Sequence, residues 1–304
     1  MNFSIFSFRK KLFYYYPIIV LLIAFSTFLL LKVYEKKSTD EDVMSFLLDM
    51  YGDRPCFRYI KNVPTSMFEK NGCLEKKFFD RPTIMLIGDS HSASLSLGLK
   101  EFVNTVQINM LQISSGWCQV TNNDHTNIKC DEIIKLINET IKSNKPDLVI
   151  INADWVVASR PPYFIKNNNY FIHLKEKIKM LHESGVKDII LIGQVPTWKN
   201  PLRKLIQEDF TSKGLSAPIR INVGIEFESL DMDIQMREVS FPEYVEYISL
   251  KDVLCNVDGC LTKVEGNPNN EFVVWDKSHL SVSGSNYVVT KAIQPLLVKR
   301  LKLK

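Results

Sequence analysis

Apolar runs alternate with amphipathic stretches along most of the chain after residue 82. Five runs have the length and composition of strands, at residues 83–87, 106–113, 147–152, 188–193 and 243–250. Stretches with helical spacing lie between several of them, at residues 94–103, 131–143 and 170–185. Strands that are apolar throughout and separated by helices are typical of a parallel sheet covered on both faces. The pattern therefore predicts an α/β fold with a mostly parallel sheet.

The boundaries of these elements are marked unevenly. Asp131 is a plausible helix cap and Gly185 a plausible helix stop. Residues 281–302 are spaced like a final helix with an apolar face and a basic end, although Pro295 should kink or shorten it. Residues 200–242 follow no clear period, and we interpret them as an insertion.

The amino-terminal part of the chain has the pattern of a membrane element. Residues 12–31 are twenty uncharged, mostly apolar residues, about the length that spans a bilayer as a helix. Tyr14, Tyr15 and Tyr16 stand where an interfacial aromatic belt is expected. A cleaved signal peptide is the alternative, but the run is long and no small-residue cleavage site follows it. We therefore predict an uncleaved signal anchor.

This anchor divides the chain into four predicted parts. Residues 1–11 form a cytoplasmic amino terminus, residues 12–31 the transmembrane anchor, residues 32–80 a polar stalk and extension, and residues 81–304 the α/β domain.

The net charge of the chain is confined to its first 32 residues. The formal charge of +4 is carried by Arg9, Lys10, Lys11 and Lys32. The remaining basic residues are balanced by the 34 acidic residues, so the chain after residue 32 is formally neutral. A neutral domain lacks the basic surface of a nucleic-acid-binding protein.

Six cysteines indicate the compartment of the domain. They fall in three local pairs, Cys56 with Cys73, Cys118 with Cys130, and Cys255 with Cys260, although six cysteines allow fifteen connectivities. Cys118, His125 and Cys130 could contribute to a metal site, but no fourth ligand is evident, and we predict no metal. Three disulfides on the oxidising side of a membrane fit better, which places the amino terminus inside and the domain outside.

Two short motifs carry candidate chemistry. Gly88, Asp89 and Ser90 end the first strand, and Asp276 and His279 stand three residues apart before the final helix. Taken alone, Gly-Asp-Ser is a common turn, and His279 could simply make a buried hydrogen bond. Together they supply a nucleophile, a base and a carboxylate that orients the base. The G-x-S-x-G elbow of α/β-hydrolases is absent, and we expect His91 to be a loop or cap residue rather than the base.

The two motifs, "IGDSHS" and "WDKSHLSVSG", resemble those of the SGNH hydrolase superfamily. The likeness is closest to SGNH domains associated with membrane acyltransferases that O-acylate bacterial surface polysaccharides, and it covers roughly residues 50–300. The resemblance implies a three-layer, flavodoxin-like domain. It also implies that Ser90 is the nucleophile, His279 the general base and Asp276 its orienting carboxylate.

The oxyanion hole is the part of the motif set from which this sequence departs. The resemblance implies donors at the backbone amides of Ser90 and Gly116, with Asn152 as a further candidate. Where the family has G-x-N-D, this chain has "INADW", so Asp154 stands in place of the usual Asn. Since a carboxylate would repel an oxyanion, we expect Asp154 to turn away, toward a backbone amide, a basic group or the acceptor hydroxyl. Asp154 and Trp155 are predicted to lie near the substrate.

The resemblance implies a membrane-anchored O-acyltransferase on the periplasmic or extracellular side of a bacterial cytoplasmic membrane. It would acylate hydroxyl groups of a surface glycan through an acyl-Ser90 intermediate, without a cofactor. The chain is too short to contain a ten-helix acyltransferase, so we expect a separate integral membrane partner to supply the acyl donor. A carbohydrate O-acetyl esterase and a non-catalytic glycan-binding or assembly subunit remain the alternatives.

Overall fold

The computed structural model describes residues 56–58, 63–116, 118, 128–160, 170–266 and 271–303. The predicted cytoplasmic segment 1–11, the anchor at 12–31 and His125 lie outside these residues. None of the helices within the described ranges has both the length and the apolar character needed to cross a bilayer. The described residues belong to one compact unit, Arg54–Lys304.

Nine strands and ten α-helices are found in the described part of the chain. The strands are β1 Phe57–Arg58, β2 Thr83–Gly88, β3 Asn109–Ser115, β4 Leu148–Asn152, β5 Asp188–Ile192, β6 Arg220–Ile221, β7 Val245–Ile248, β8 Cys255–Asn256 and β9 Gly259–Leu261. The α-helices are α1 Met67–Lys70, α2 Ser90–Val106, α3 Ile128–Asn144, α4 Trp155–Ala158, α5 Tyr170–Glu183, α6 Leu202–Asp209, α7 Phe227–Glu238, α8 Leu250–Leu254, α9 Val282–Val288 and α10 Gln294–Arg300.

Six strands form the main sheet, in the order β1-β3-β2-β4-β5-β7, and every pair in it is parallel. The five strands other than β1 follow the flavodoxin-like order, which confirms the predicted α/β class. In this order the connections reverse direction between β2 and β4. Ligands of open α/β sheets bind at that point, outside the carboxyl ends of the strands.

The sheet is covered on both faces, because alternate side chains of each strand enter opposite cores. On β2, Ile84 and Leu86 pack into one core with residues of α2, α6 and α9. Met85 and Ile87 pack into the other core with residues of α3 and α5. All four side chains are fully buried, which explains why the run has no polar alternation in the sequence.

The region without a clear period, residues 200–242, contains α6, β6 and α7. Strand β6 pairs with β9 in a small antiparallel sheet of order β6-β9-β8. Strands of two or three residues are too short to show a period of two, so the sequence pattern could not reveal this sheet.

All three predicted disulfides are present: Cys56–Cys73, Cys118–Cys130 and Cys255–Cys260. The first of them holds the extension that precedes β2. Strand β1 pairs with the end of β3, and Phe68 of α1 is fully buried. Of the predicted stalk, Phe57–Arg58 therefore adds an edge strand to the sheet, and Phe68 packs into one of its cores.

The final helix is interrupted as Pro295 led us to expect. Helices α9 and α10 are joined by a π-helical turn at Val289–Ile293, and Pro295 lies in the first turn of α10. Because proline has no N–H to donate to the preceding turn, it is accommodated where the hydrogen-bond pattern changes.

Candidate active site

The turn from β2 to α2 positions Ser90 at the carboxyl edge of the sheet. Gly88 has a φ of +146°, and a Cβ on it would lie 1.8 Å from the carbonyl oxygen of Asn152. Only glycine fits this contact and this backbone conformation. Asp89 caps α2, accepting a hydrogen bond from the amide of His91 at 2.8 Å. Ser90 is the first residue of α2, so its amide N–H has no acceptor within the helix.

A tight loop before α9 carries the second motif. The antiparallel bridge between Val274 and Leu280 closes it, and the amide of Trp275 donates to the carbonyl of His279 at 3.1 Å. Inside the loop, Oδ1 of Asp276 accepts hydrogen bonds from the amides of Ser278 (2.9 Å) and His279 (2.8 Å). Two backbone amides of the same loop therefore fix the orientation of the Asp276 carboxylate.

Ser90, His279 and Asp276 form one continuous chain of hydrogen bonds. The Ser90 Oγ lies 2.8 Å from Nε2 of His279, and Nδ1 of His279 lies 2.7 Å from Oδ2 of Asp276. Since an ionised carboxylate only accepts hydrogen bonds, Asp276 places the proton of neutral His279 on Nδ1 and leaves Nε2 free to accept the serine proton. The side chains of His279 and Asp276 are 21% and 28% exposed, so the group is open to a ligand.

The charges of this group are arranged to favour a cationic His279. Burial lowers the pKa of His279, but the hydrogen bond and charge of Asp276, with smaller effects of Asp89 and Asp154, raise it above its ordinary value. For Asp276 burial raises the pKa, and the hydrogen bond and charge of His279 with two backbone amides lower it overall. The site therefore stabilises the imidazolium that forms when the imidazole takes up a proton.

A helix crossing holds the two motifs together, although they are almost two hundred residues apart. The hydroxyl of Ser285 on α9 accepts a hydrogen bond from the amide of Gly98 at 2.8 Å and donates one to the carbonyl of Leu95 at 2.8 Å, both on α2. A Cβ on Gly98 would lie 2.7 Å from the backbone of α9 at Asn286. The small side chain lets the helices approach closely, and this crossing sets the distance between Ser90 and His279.

Asp89, His91 and Asp154 form a second polar group beside His279. The second carboxylate oxygen of Asp89 accepts the amide of Asp154 at 2.9 Å, and burial raises the pKa of Asp89. His91 is buried, its ring contacts that of His279 edge to face at 4.9 Å, and its Nε2 lies 3.3 Å from the hydroxyl of Ser278. We expected His91 to be a loop or cap residue, but it is part of the buried polar surroundings of His279.

Asp154 is turned toward a backbone amide, as expected. Its Oδ1 accepts a hydrogen bond from the amide of Val157 at 3.3 Å and so caps α4, while Oδ2 lies 3.8 Å from Nε2 of His91. Its side chain is 24% exposed.

Three other residues do not lie where their predicted roles would require them. The amide of Gly116 donates to the carbonyl of Arg58 at 2.9 Å, where β1 extends the sheet, and is not available to an oxyanion. Asn152 is fully buried, and its side-chain amide donates to the carbonyl of His91 at 3.0 Å. Trp155 is buried and donates through Nε1 to the carbonyl of Ile192 at 2.7 Å, so it belongs to the core. Of the predicted oxyanion donors, the Ser90 amide stays a prediction.

Ser90, His279 and Asp276 are called the triad below. The aromatic residue beside the triad is Trp275, which was not among the predicted site residues. Its indole stacks on the ring of His279, with centroids 5.2 Å apart and planes 18° apart, and the residue is 37% exposed. Its place directly before Asp276 was the available signal. Cys118 and Cys130, considered above as metal ligands, are joined in a disulfide, and the described residues contain no cluster of His, Cys, Asp and Glu suited to a metal ion.

Comparisons with known proteins agree with this arrangement. A family model described as "SGNH domain (fused to AT3 domains)" matches residues 60–294. The periplasmic domain of a lipopolysaccharide acetyltransferase of Salmonella ser. Paratyphi A is similar in structure, with a TM-score of 0.69 and 23% sequence identity, over 84% of this chain and 96% of that one.

A putative acylhydrolase from Bacteroides fragilis is more distant, with a TM-score of 0.49 and 13% identity over 79% of this chain and 98% of its own. No curated protein matches the sequence. The match of the family model to most of the chain decides the classification: this chain belongs to the family of SGNH domains that are found fused to AT3 domains.

Proposed function

We propose that the protein is a serine O-acyltransferase that acylates hydroxyl groups of a surface polysaccharide, with acetyl as the acyl group. The observation that carries the proposal is the hydrogen-bonded chain from Ser90 through His279 to Asp276. The family match and the structural likeness to the periplasmic domain of a lipopolysaccharide acetyltransferase support the substrate class.

The reaction proceeds in two steps. In the first, His279 takes the proton of Ser90 as the oxygen attacks the acyl carbonyl, and an acyl-Ser90 ester forms as the donor's leaving group accepts that proton. In the second, an acceptor hydroxyl gives its proton to His279 and attacks the ester, and His279 returns that proton to the Oγ of Ser90 as the acyl–Ser90 bond breaks. Asp276 holds the tautomer and stabilises the imidazolium in both steps, and the Ser90 amide at the start of α2 is one donor to the oxyanion.

The location and partners are part of the same proposal. We place the domain outside the cytoplasm, tethered by residues 12–31, because three disulfides are formed and relatives of the domain are fused to AT3 domains. An integral membrane acyltransferase of that kind is the proposed source of the acyl group. A reporter enzyme fused after residue 304 should be active outside the cytoplasm, and activity inside would refute this topology.

Covalent labelling tests whether the site is catalytic. A fluorophosphonate should label the wild-type protein at Ser90 and should not label Ser90→Ala, whereas Ser283→Ala, at a partly buried position in the first turn of α9, should be labelled as the wild type is. Absence of labelling in folded wild-type protein would favour the alternative of a non-catalytic glycan-binding or assembly subunit.

Product analysis separates the transferase from the alternative of an O-acetyl esterase. With an activated acetyl ester, a transferase should form acetylated sugar when an acceptor glycan is added, at the expense of free acetate. An esterase should release acetate at the same rate with and without the acceptor. In cells, the O-acetyl content of surface polysaccharide should fall when Ser90 is replaced by Ala.

A further inference from the structure

A cavity that is separate from the triad lies between the extension before β2 and helix α2. It has a volume of about 360 Å³. Its charged lining residues are Lys70, Lys77, Lys100 and Glu75. Polar side chains of Asn104 and Gln112 also line it, and the Cys56–Cys73 disulfide forms part of its wall.

The three lysines of this cavity have no partner among the residues that the structure describes. No ammonium group of the three makes a hydrogen bond or ion pair with any residue in the described ranges. Lys70 and Lys77 are exposed, whereas Lys100 is partly buried, and burial and the charge of Lys77 lower the pKa of Lys100. Lysine is rarely buried unless it is paired, and withdrawing an ammonium group from water next to another is unfavourable without a counter-charge.

Gln112 supplies an independent indication of a ligand. This residue on β3 is 2% exposed, and its amide nitrogen donates to the hydroxyl of Ser114. Its Oε1 is buried and accepts no hydrogen bond from the residues that the structure describes. A buried acceptor in this state calls for a donor beyond the described residues. The cavity thus combines excess positive charge with a hydrogen-bond acceptor at its wall.

The cavity is separate from the triad. Lys100 lies ten residues after Ser90 on α2, which corresponds to about 15 Å along the helix axis. Asn109 and Met110, which also line the cavity, are at the amino end of β3, whereas Ser90 follows the carboxyl end of β2.

We propose that this cavity binds a phosphate group that carries a neighbouring hydroxyl. The ammonium groups of Lys70, Lys77 and Lys100 bind the phosphate oxygens, and Oε1 of Gln112 accepts the hydroxyl. Glu75 opposes the charge of one lysine and leaves a net charge of +2, suited to a phosphate monoanion or dianion. Glycerol phosphate has this chemistry, either as a lipid headgroup or as a soluble molecule.

The proposal is tested by calorimetric titration of the full-length chain in a zwitterionic detergent. The probes are inorganic phosphate, glycerol 3-phosphate, dioctanoyl phosphatidylglycerol and dioctanoyl phosphatidylcholine. Lys100→Met should weaken binding of glycerol 3-phosphate at least about 10-fold, because a charge-assisted hydrogen bond is lost. Lys77→Met should weaken it less, and Lys135→Met, an exposed lysine paired with Glu139 on α3, should leave it unchanged.

The affinities of the probes distinguish the source of the phosphate. Tighter binding of dioctanoyl phosphatidylglycerol than of glycerol 3-phosphate assigns the cavity to a lipid headgroup, and equal binding assigns it to a soluble ester. Absence of binding by every phosphate probe, or equal binding by the wild type and both cavity variants, refutes the proposal.

Thermal unfolding separates a ligand-binding role from a structural one. Without phosphate, Lys100→Met should unfold at the same temperature as the wild type or higher, because an unpaired, partly buried charge is removed. Added phosphate should raise the midpoint of the wild type and not that of the variant. A midpoint several degrees lower for the variant without phosphate would show that Lys100 supports the fold instead. Labelling of Ser90 by a fluorophosphonate is unaffected in either case, so this test is independent of the proposed catalysis.

Discussion

Helix α2 contributes one residue to each of two groups of polar residues, and the two groups are satisfied in opposite ways. At its first residue, the Ser90 hydroxyl, both nitrogens of His279 and both oxygens of Asp276 are paired within the protein. Three turns later, Lys100 faces a cavity with two other lysines and is paired with nothing in the described ranges. The first group is preorganised before any ligand arrives, whereas the second is complete only with a ligand. Substitutions should therefore lower the rate of a reaction at the first group and the affinity for an anion at the second.

The largest effect is expected where the preorganised chain is broken. Ser90→Ala and His279→Ala should each lower turnover of p-nitrophenyl acetate by roughly 10⁶-fold, because residues that act as a unit lose their function together. The double variant should be little slower than either single one. The steady-state rates of ester cleavage and the thermal midpoints of all three proteins provide the measurement. If the losses of activation free energy in the two single variants add up in the folded double variant, the residues act independently.

Asp276→Asn should have the next largest effect, a loss of roughly 10⁴-fold, because the orienting carboxylate is lost while the geometry remains. It should also move the pH profile. His279 acts as a base only when neutral, so the rate rises as pH passes its pKa, and this midpoint should lie above the ordinary value of 6.5 in the wild type. Without the charge of Asp276 the midpoint should fall. A midpoint that does not move would exclude His279 as the titrating base.

Gly98→Ala tests the crossing that lies between the two groups on α2. The added Cβ would meet the backbone of α9 at 2.7 Å, so the helices must separate. Overpacking of this kind costs about 1–3 kcal/mol, and we expect a lower free energy of unfolding in urea together with slower ester cleavage. Gly185→Ala, where no atom lies within 4 Å but φ is +108°, shows the effect of backbone strain without overpacking, a strain that Gly98 in its helix does not have. Equal rates of ester cleavage in Gly98→Ala and the wild type would show that the crossing does not position the triad.

Asp154→Asn should have the smallest effect. The Asn side chain can still cap α4 at Val157, and ester cleavage should stay within about 10-fold of the wild-type rate. Because the charge of Asp154 contributes to raising the pKa of His279, the midpoint of the pH profile should fall slightly. The profile of p-nitrophenyl acetate cleavage measures both quantities. Complete loss of cleavage would mean that the carboxylate takes part in the reaction.

The sequence predicted the features that depend on short contiguous motifs and on local pairs of residues. Ser90, Asp276 and His279 were found because each motif is contiguous in the sequence and the two together resemble those of a known family, and the disulfides were found because their partners are local. Asn152 and Trp155 were misplaced because packing, rather than sequence position, decides where a side chain at the end of β4 points. The close approach at Gly88 buries Asn152 beneath the turn, and Gly116 was misjudged because the two-residue strand β1 has no detectable period.

The disulfides span only 17, 12 and 5 residues of sequence. None of them links the Ser90 segment to the His279 segment, so every pair can form as soon as its own neighbourhood is folded, in any order and without reshuffling. By loop entropy each contributes about 2–3 kcal/mol. Production of the protein in an oxidising compartment therefore depends on three independent local events, and each bond can be replaced by a Cys-to-Ser pair without altering the connectivity of the other two.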